Sequence, residues 1–191
     1  MAVDISIQRT RLDRILNLFR KLGNKTAQEY IDGKISLLDF HLMLKNLIKR
    51  QNAMMVFAGT GAEKPADVLP KQWLVLGNEI RKQFNYLAEF VRQLNESQIS
   101  EGEIFNRVDL YMESAGASFW RSVSPVELPA YPKDGTTQCL SNCGCHWVFD
   151  YVMDSFGNHV AVLAYWTLGE LEHCPDCVQR HDEWNPIRVS I

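Results

Sequence analysis

The sequence predicts an α+β chain, a helical region leading into a small module built on a β-hairpin and organised by cysteines. Three observations predict it. Apolar residues recur at three-to-four spacing as far as residue 123. The tract 124–138 loses that period and gathers Pro125, Pro129 and Pro132. All five cysteines then fall between positions 139 and 177, around two β-rich runs. The expected organisation is a helical region over 1–123, a proline-containing linker over 124–138, and the cysteine module over 139–191.

The helical elements follow from local signals. Ile15, Leu16, Leu18, Phe19 and Leu22 mark an apolar face that Gly23-Asn24 is expected to end, with a short segment around Ala27–Ile31 behind it. Ser36 with Asp39 three positions on reads as a capping box, opening a helix that runs to about Ala58. That helix turns Leu38, Leu42, Leu47, Ile48 and Met55 inward and stops at Gly59-Thr60-Gly61. A third helix starts near Pro70, a residue suited to the first turn, with Trp73, Gly77, Ile80, Phe84, Leu87, Val91 and Leu94 as its seam. Ser100 and Glu103 form a second capping box. The helix they open carries Phe105, Val108, Met112, Ala115 and Phe119 on one face, and the small residues Ala115, Gly116 and Ala117 allow another backbone to approach.

Composition bounds the function classes. The chain has 191 residues, a net charge of −3, and no uninterrupted apolar run near the length of a membrane span, about twenty residues. The first residues carry Arg9, Arg11 and Arg14 rather than the apolar stretch of a signal peptide, so use in a cytosol is expected. Charge is uneven: residues 1–50 hold ten Lys/Arg against five Asp/Glu, and residues 125–191 hold three against nine. A basic front end suits an acidic partner or DNA, and equally a solvated helix face. Gly59-Thr60-Gly61 lacks the lysine of a phosphate loop, and Met54 and Met55 read as core filler.

The cysteines carry the chemistry. Cys139, Cys143 and Cys145 stand in Cys-Leu-Ser-Asn-Cys-Gly-Cys, and Cys174 and Cys177 in Cys-Pro-Asp-Cys. Between them lie the runs 146–152 and 160–167, joined by Asp154-Ser155-Phe156-Gly157-Asn158, which is turn chemistry. After Cys177 a short helix reaches about Trp184, stopped before Pro186. Knuckle, hairpin and a paired-cysteine helix start make the layout of a treble clef around one structural zinc ion. Zinc prefers a closed tetrahedron of thiolates at about 2.3 Å. A Cys-x2-Cys pair at a helix N-terminus aims two sulfurs at one point, where unpaired N–H groups favour the thiolate. A module this small needs such a staple.

Cys174 and Cys177 lead the ligand set, Cys139 and Cys143 form the first pair, and Cys145 substitutes for either. Gly144 is expected to permit the tight turn of the knuckle. His146, His173 and His181 are replacement ligands, each also readable as a packed or surface histidine. The competing accounts of the five cysteines are a disulfide framework, buried free thiols and a redox pair. Trp147 and Trp166 should face each other across the hairpin, with Trp184 covering the zinc site.

These residues resemble a known family. Leu128-Pro129-Ala130-Tyr131-Pro132 through Cys139–His146 is similar to the Asn-Cys-x-Cys segment of tailed-phage head morphogenesis proteins, the Mu F-like minor head family. Cys174-Pro175-Asp176-Cys177 resembles the Cys-Pro-x-Cys segment of the same family, and Tyr111, Ala115, Phe119 and Trp120 resemble its helix. Two departures stand out: the order of the two cysteine motifs is permuted, and Ser141 stands where a proline is usual. The resemblance implies a virion component assembled in the host cytoplasm, a minor capsid or head morphogenesis protein. It would contact capsid or portal proteins, as a homo-oligomer or part of a larger assembly, with DNA touched through the basic N-terminus.

Two other function classes compete. A zinc-dependent nucleic-acid-binding module is one, though only Lys133, Arg180 and Arg188 are cationic after residue 125. A His-metal finger type nuclease is the other, with His146 and His159 on the hairpin and His181 and Asn185 on the last helix. The expectation is no enzyme and no membrane.

Overall fold

The computed structural model describes residues 5–169 and 172–191, and of residues 5–9 only the backbone. Met1–Asp4 and the side chain of Arg9, part of the basic front end, therefore lie outside the described residues. Among those described, five helices lead into a three-stranded antiparallel sheet, so the chain is α+β. Helix α1 spans Ile5–Ile31, α2 Leu37–Thr60, α3 Pro70–Asn95, α4 Glu101–Ser114 and α5 Gly116–Val123. Both capping boxes form: Ser36 with Asp39 opens α2, and Ser100 with Glu103 opens α4. Gly61 closes α2 in the left-handed conformation at φ 70°. No described helix is long and apolar enough to cross a membrane.

Helix α1 corrects one expectation, since it continues through Gly23-Asn24. A Cβ on Gly23 would meet Val108 Cγ1 at 2.8 Å and Met112 Cγ at 3.1 Å. The glycine is there so that α4 can approach, and tertiary packing overrides its helix-breaking cost of about 1 kcal/mol. Leu18, Leu38 and Leu42, expected inside, are 48%, 65% and 55% exposed. In α2 the buried stripe runs Phe40, Leu44, Ile48 and Met55. Leu38 and Leu42 sit two residues off it, about 200° around the helix. In α3 the buried stripe is Leu76, Gln83, Leu87, Phe90 and Leu94: Leu87 and Leu94 are buried as expected, while Leu76, Gln83 and Phe90 take the places expected of Gly77, Phe84 and Val91, and Gly77 faces outward.

Two cores result. Phe19, Phe40, Leu44, Ile48, Leu87, Phe90, Val108 and Met112 fill the centre of the first four helices. The second core gathers Leu16 of α1, Met55 of α2, Phe119 and Trp120 of α5, and Tyr131, with Cys143, Cys145, Trp147, Trp166 and Cys177. The second core thus joins helices α1, α2 and α5 to the cysteine module. Two buried polar pairs tie the helices together: Gln51 Nε2 donates to the Met112 carbonyl at 2.8 Å, and Ser118 Oγ donates to Asn52 Oδ1 at 2.6 Å.

The segment 124–138 holds no regular element and packs down tightly. Leu128, Ala130 and Tyr131 are buried. The Tyr131 hydroxyl accepts the Leu128 N–H at 3.0 Å, and Asp134 Oδ2 accepts the Tyr131 N–H at 2.8 Å. Strand β1 (His146–Met153) pairs with β2 (His159–Thr167), which also pairs with β3 (Ile187–Ser190), a strand the sequence reading did not anticipate. Trp147 lies opposite Trp166, both fully buried, with ring centroids 5.1 Å apart and edge-on. Period-two alternation puts Trp147, Phe149, Ala164, Trp166, Ile187 and Val189 on one face against the second core.

Two glycines separate close packing from helix propensity. A Cβ on Gly59 would meet the Phe119 carbonyl oxygen and Ser122 Cβ, each at 2.8 Å, whereas nothing lies within 4 Å of one on Gly77. Gly59→Ala should therefore lower stability by about 1–3 kcal/mol through overpacking. Gly77→Ala should raise it by about 1 kcal/mol through propensity. Urea unfolding of both variants checks the opposite signs.

Candidate metal centre

Two chain segments bring the cysteines together. Cys139 leads the 3-10 turn Leu140–Asn142, Cys143 follows that turn directly, and Cys145 stands one residue before β1. On the other side, Cys174 is the N-cap of α6 (Pro175–Glu183), Pro175 fills its first turn, and Cys177 lies further along the same turn, turned inward. Gln138 N–H donates to Asp176 Oδ2 at 2.7 Å, tying the two segments beside the sulfurs.

The sulfur geometry is specific. Cys143 and Cys177 lie 3.6 Å apart, Cys139 and Cys177 3.8 Å, and Cys174 and Cys139 3.6 Å. A disulfide requires about 2.05 Å. Four thiolates at about 2.3 Å from one ion stand about 3.8 Å from one another along the tetrahedron's edges. The observed separations match that edge. All five cysteines are free thiols, and the sulfurs of Cys139, Cys143 and Cys177 lie within 4.8 Å of one another, a group able to hold a metal ion. Cys174 lies 3.6 Å from Cys139 but stands outside that mutual group. Cys145, buried, sits beside Cys143 as the fifth thiol.

Without a cation the site resists ionisation. Burial pushes the Cys139 thiol up, and burial followed by the neighbouring Cys143 charge pushes Cys177 up. For Cys143 the hydrogen bond with Cys145 leads and burial follows, again upward. Cys174 differs. Burial opposes its ionisation, but the backbone amides of Cys177 and Cys139 outweigh it and bring the thiol to about 7. A divalent cation among these sulfurs would supply the positive charge that their surroundings lack.

Of the histidines named from sequence, His146, His159 and His181 meet other partners. His146 stacks on Trp120 of α5, with centroids 6.2 Å apart. His159 lies against Tyr151 at the far end of the hairpin, its ring centroid 4.6 Å away. The ladder pairs His146 with Thr167 and His159 with Met153, so these two histidines stand at opposite ends of β1. His181 Nδ1 lies 2.9 Å from the Trp166 carbonyl oxygen, to which Asn185 Nδ2 also donates at 3.0 Å. Trp184 stacks on Trp147 at 6.1 Å, and Arg180 lies over both Trp166 and Trp184.

Gly144 is also corrected: its φ lies outside the left-handed region, and a Cβ there would meet nothing within 4 Å. The glycine the knuckle needs is Gly169, where a Cβ would lie 2.7 Å from the Gly144 carbonyl oxygen. The loop after β2 therefore crosses the knuckle backbone at close range.

The charges that seat the knuckle on the helices escaped the sequence reading. Glu113 of α4 is buried and pairs with Arg20 of α1 and with Lys133 Nζ, the latter at 2.5 Å. Lys133 also donates to the Ser141 carbonyl at 3.0 Å, and Ser141 Oγ donates to the Leu110 carbonyl at 3.1 Å. Glu113 and Arg20 are 93 positions apart, and no local spacing announces such a pair. Compared with protein-family models, curated proteins and solved structures, the chain matches none of them.

The thiol shifts fix the sign of a pH effect. In chelator and reductant the folded chain holds Cys143 and Cys177 protonated, while unfolded thiols ionise near their ordinary value of about 8.5. The unfolded state then binds fewer protons, so stability is present below that value and falls as pH rises through it. Melting temperatures in EDTA with a phosphine reductant should drop by several degrees between pH 8 and pH 10. A flat or rising profile would contradict the assignment of neutral buried thiols.

Proposed function

We propose that this chain is a structural component of a tailed-phage head, a minor capsid or head morphogenesis protein whose C-terminal module is a treble clef closed by one zinc ion. The observation that carries the metal half of this reading is the run of sulfur separations, 3.6–3.8 Å, across Cys174, Cys139, Cys177 and Cys143. Four cysteines with no open position describe a structural site rather than a hydrolytic one. Cys139, Cys143, Cys174 and Cys177 are the proposed ligands. Cys145, which meets both Cys143 and Cys177, is the substitute for one of them. The order knuckle, hairpin and helix start supports the treble-clef reading. The ion's role is to join the segment around residue 140 to α6, when the sheet between them is too small to do so alone.

The head assignment is supported by the resemblance of the proline strap and cysteine segments to the Mu F-like family, and by the way the knuckle is built into the helical interior. A module whose core is continuous with a helical body suits a scaffold that transmits load. Exposed Arg11, Arg14, Lys21 and Lys25 on α1 give it a face for packaged DNA.

Native mass measurement of the purified chain should give one zinc per protein. Cys177→Ser and Cys143→Ser should lose the metal and most of the cooperative unfolding transition. Cys145→Ser should keep the metal at full stoichiometry. A metal-free wild-type chain with an unchanged melting curve would end the zinc reading. The head reading is tested separately: a tagged chain should co-sediment with assembled heads through a density gradient, and its absence from them would refute it.

A further inference from the structure

A cleft of about 440 Å³ opens between α3, α4 and the knuckle, within the range of about 300–1,000 Å³ that small-molecule sites occupy. Its apolar walls come from Leu110 of α4, Leu140 of the knuckle and the ring of Tyr86 on α3. Two deeply placed polar side chains also line it. Gln83 of α3 is 6% exposed and Tyr111 of α4 is 9% exposed. Gln83 Oε1 accepts from Asn52 Nδ2 at a long 3.5 Å, and the bond Tyr111 makes to Ser114 Oγ uses its backbone carbonyl. Gln83 Nε2 and the Tyr111 hydroxyl are thus left without a protein partner among the described residues. Donors held this deep are costly unless something in the cleft accepts from them.

The charged groups of the cleft narrow the ligand's chemistry. Lys133 is paired with Glu113, and Glu79 with Arg121 at 3.3 Å. The Asp134 carboxylate remains, turned to the N–H groups of Tyr131 and Thr136 and to the Thr136 hydroxyl. Lys82 has three donors and reaches only the Asp134 carbonyl, at 3.4 Å. Arg107 lies over the Phe90 ring at 5.4 Å, and its charge also acts on Tyr111, Glu89 and Glu103. Two cations therefore stand against Asp134, one of them shared with acids outside the cleft. A phosphate dianion would be poorly compensated there, whereas a single carboxylate is matched. Burial pushes the Tyr111 phenol up, so it serves as a neutral O–H donor.

We propose that this cleft binds a small aromatic carboxylate, with the Tyr111 hydroxyl and the Gln83 amide as its two recognition groups. Arg107 and Tyr111 are four residues apart on α4, neighbours on one helix face, and together they receive the carboxylate. The ring lies against Leu110, Leu140 and Tyr86. Gln83 stands on α3, across the cleft from α4, and its Nε2 donates to a second oxygen carried on the ring. A hydroxylated aromatic acid is therefore preferred over the bare one. The proposal goes beyond the head reading and uses no cysteine.

The test is a titration of the full chain, its zinc content measured beforehand, with 6-hydroxy-2-naphthoate followed by the probe's fluorescence anisotropy. One saturable site is expected, with a Kd on the order of 0.1 mM for a ligand of this size. 2-Naphthoate, which lacks the hydroxyl, should bind several-fold more weakly. Tyr111→Phe should weaken the probe about tenfold, while the melting temperature holds or rises because the lost hydroxyl has no protein partner. Gln83→Leu should bring the probe down to the affinity of 2-naphthoate and leave 2-naphthoate itself unchanged. Tyr86→Glu, at a wall position 60% exposed, should abolish binding with the fold intact, since it removes a ring face and sets a like charge there. Absence of saturation by roughly 5 mM probe, about fifty times that Kd, would overturn the proposal. So would binding that the Tyr111 and Tyr86 variants leave intact, or displacement of the probe by inorganic phosphate at equal concentration.

Discussion

The meeting of two distant chain segments at five thiols is the contact on which the rest of the C-terminal half depends. Away from the sulfurs, the segment around the knuckle and α6 are joined by the Gln138–Asp176 hydrogen bond, by Arg180 donating to Thr136, by Trp184 stacked on Trp147 and by a three-stranded sheet. Thiols alone make a poor joint, since burial keeps them neutral and their contacts with one another are weak. A cation changes the balance, because it exchanges three or four reluctant protons for one set of strong bonds. Cys174, whose thiol lies near 7, already stands closest to that state. The surroundings are thus prepared asymmetrically, with one sulfur near ionisation and the others held back by burial and by one another.

That joint is fastened to the helices by charge as well as by packing. Glu113, inside the bundle, would be strongly destabilising alone, and two cations from different parts of the chain neutralise it. Lys133 does double service, since the same ammonium that meets Glu113 also holds the Ser141 carbonyl of the knuckle. Its aliphatic stem lies over Gly116, where a Cβ would come within 2.4 Å of Lys133 Cδ. The small residue at the start of α5 therefore makes room for a side chain from the strap. The stability of α4 and the position of the cysteines are consequently linked through three side chains, Arg20, Glu113 and Lys133.

How much of this could be read in advance depends on the range of the interaction. Capping boxes at Ser36 and Ser100, the hairpin turn at Asp154 and the opposition of Trp147 to Trp166 are local signals, and each is found in place. The cysteine cluster was legible because spacing within each segment restricts where the sulfurs can go. What failed was local reading applied to tertiary questions. Gly23-Asn24 looks like a helix stop until Val108 and Met112 are seen against it. Leu38 and Leu42 look inward until Phe40 and Leu44 claim that face. The strand Ile187–Ser190 has only four residues, too short for alternation to announce it before β2 is there to pair with. The knuckle's need for glycine was assigned to Gly144 by proximity, although the steric demand comes from Gly169, on the far side of the hairpin.

The sheet explains why a rigid joint at one end matters at the other. Antiparallel pairing runs in register from His146 opposite Thr167 to Val152 opposite Ala161, and irregularity begins only between Val152 and Met153. A ladder of that length, pinned at its base by the stacked Trp147, Trp166 and Trp184, works as a lever whose direction is set where the sulfurs are. The buried charge of Glu113, the crossing at Gly169 and the shared core all hold that base against the helices.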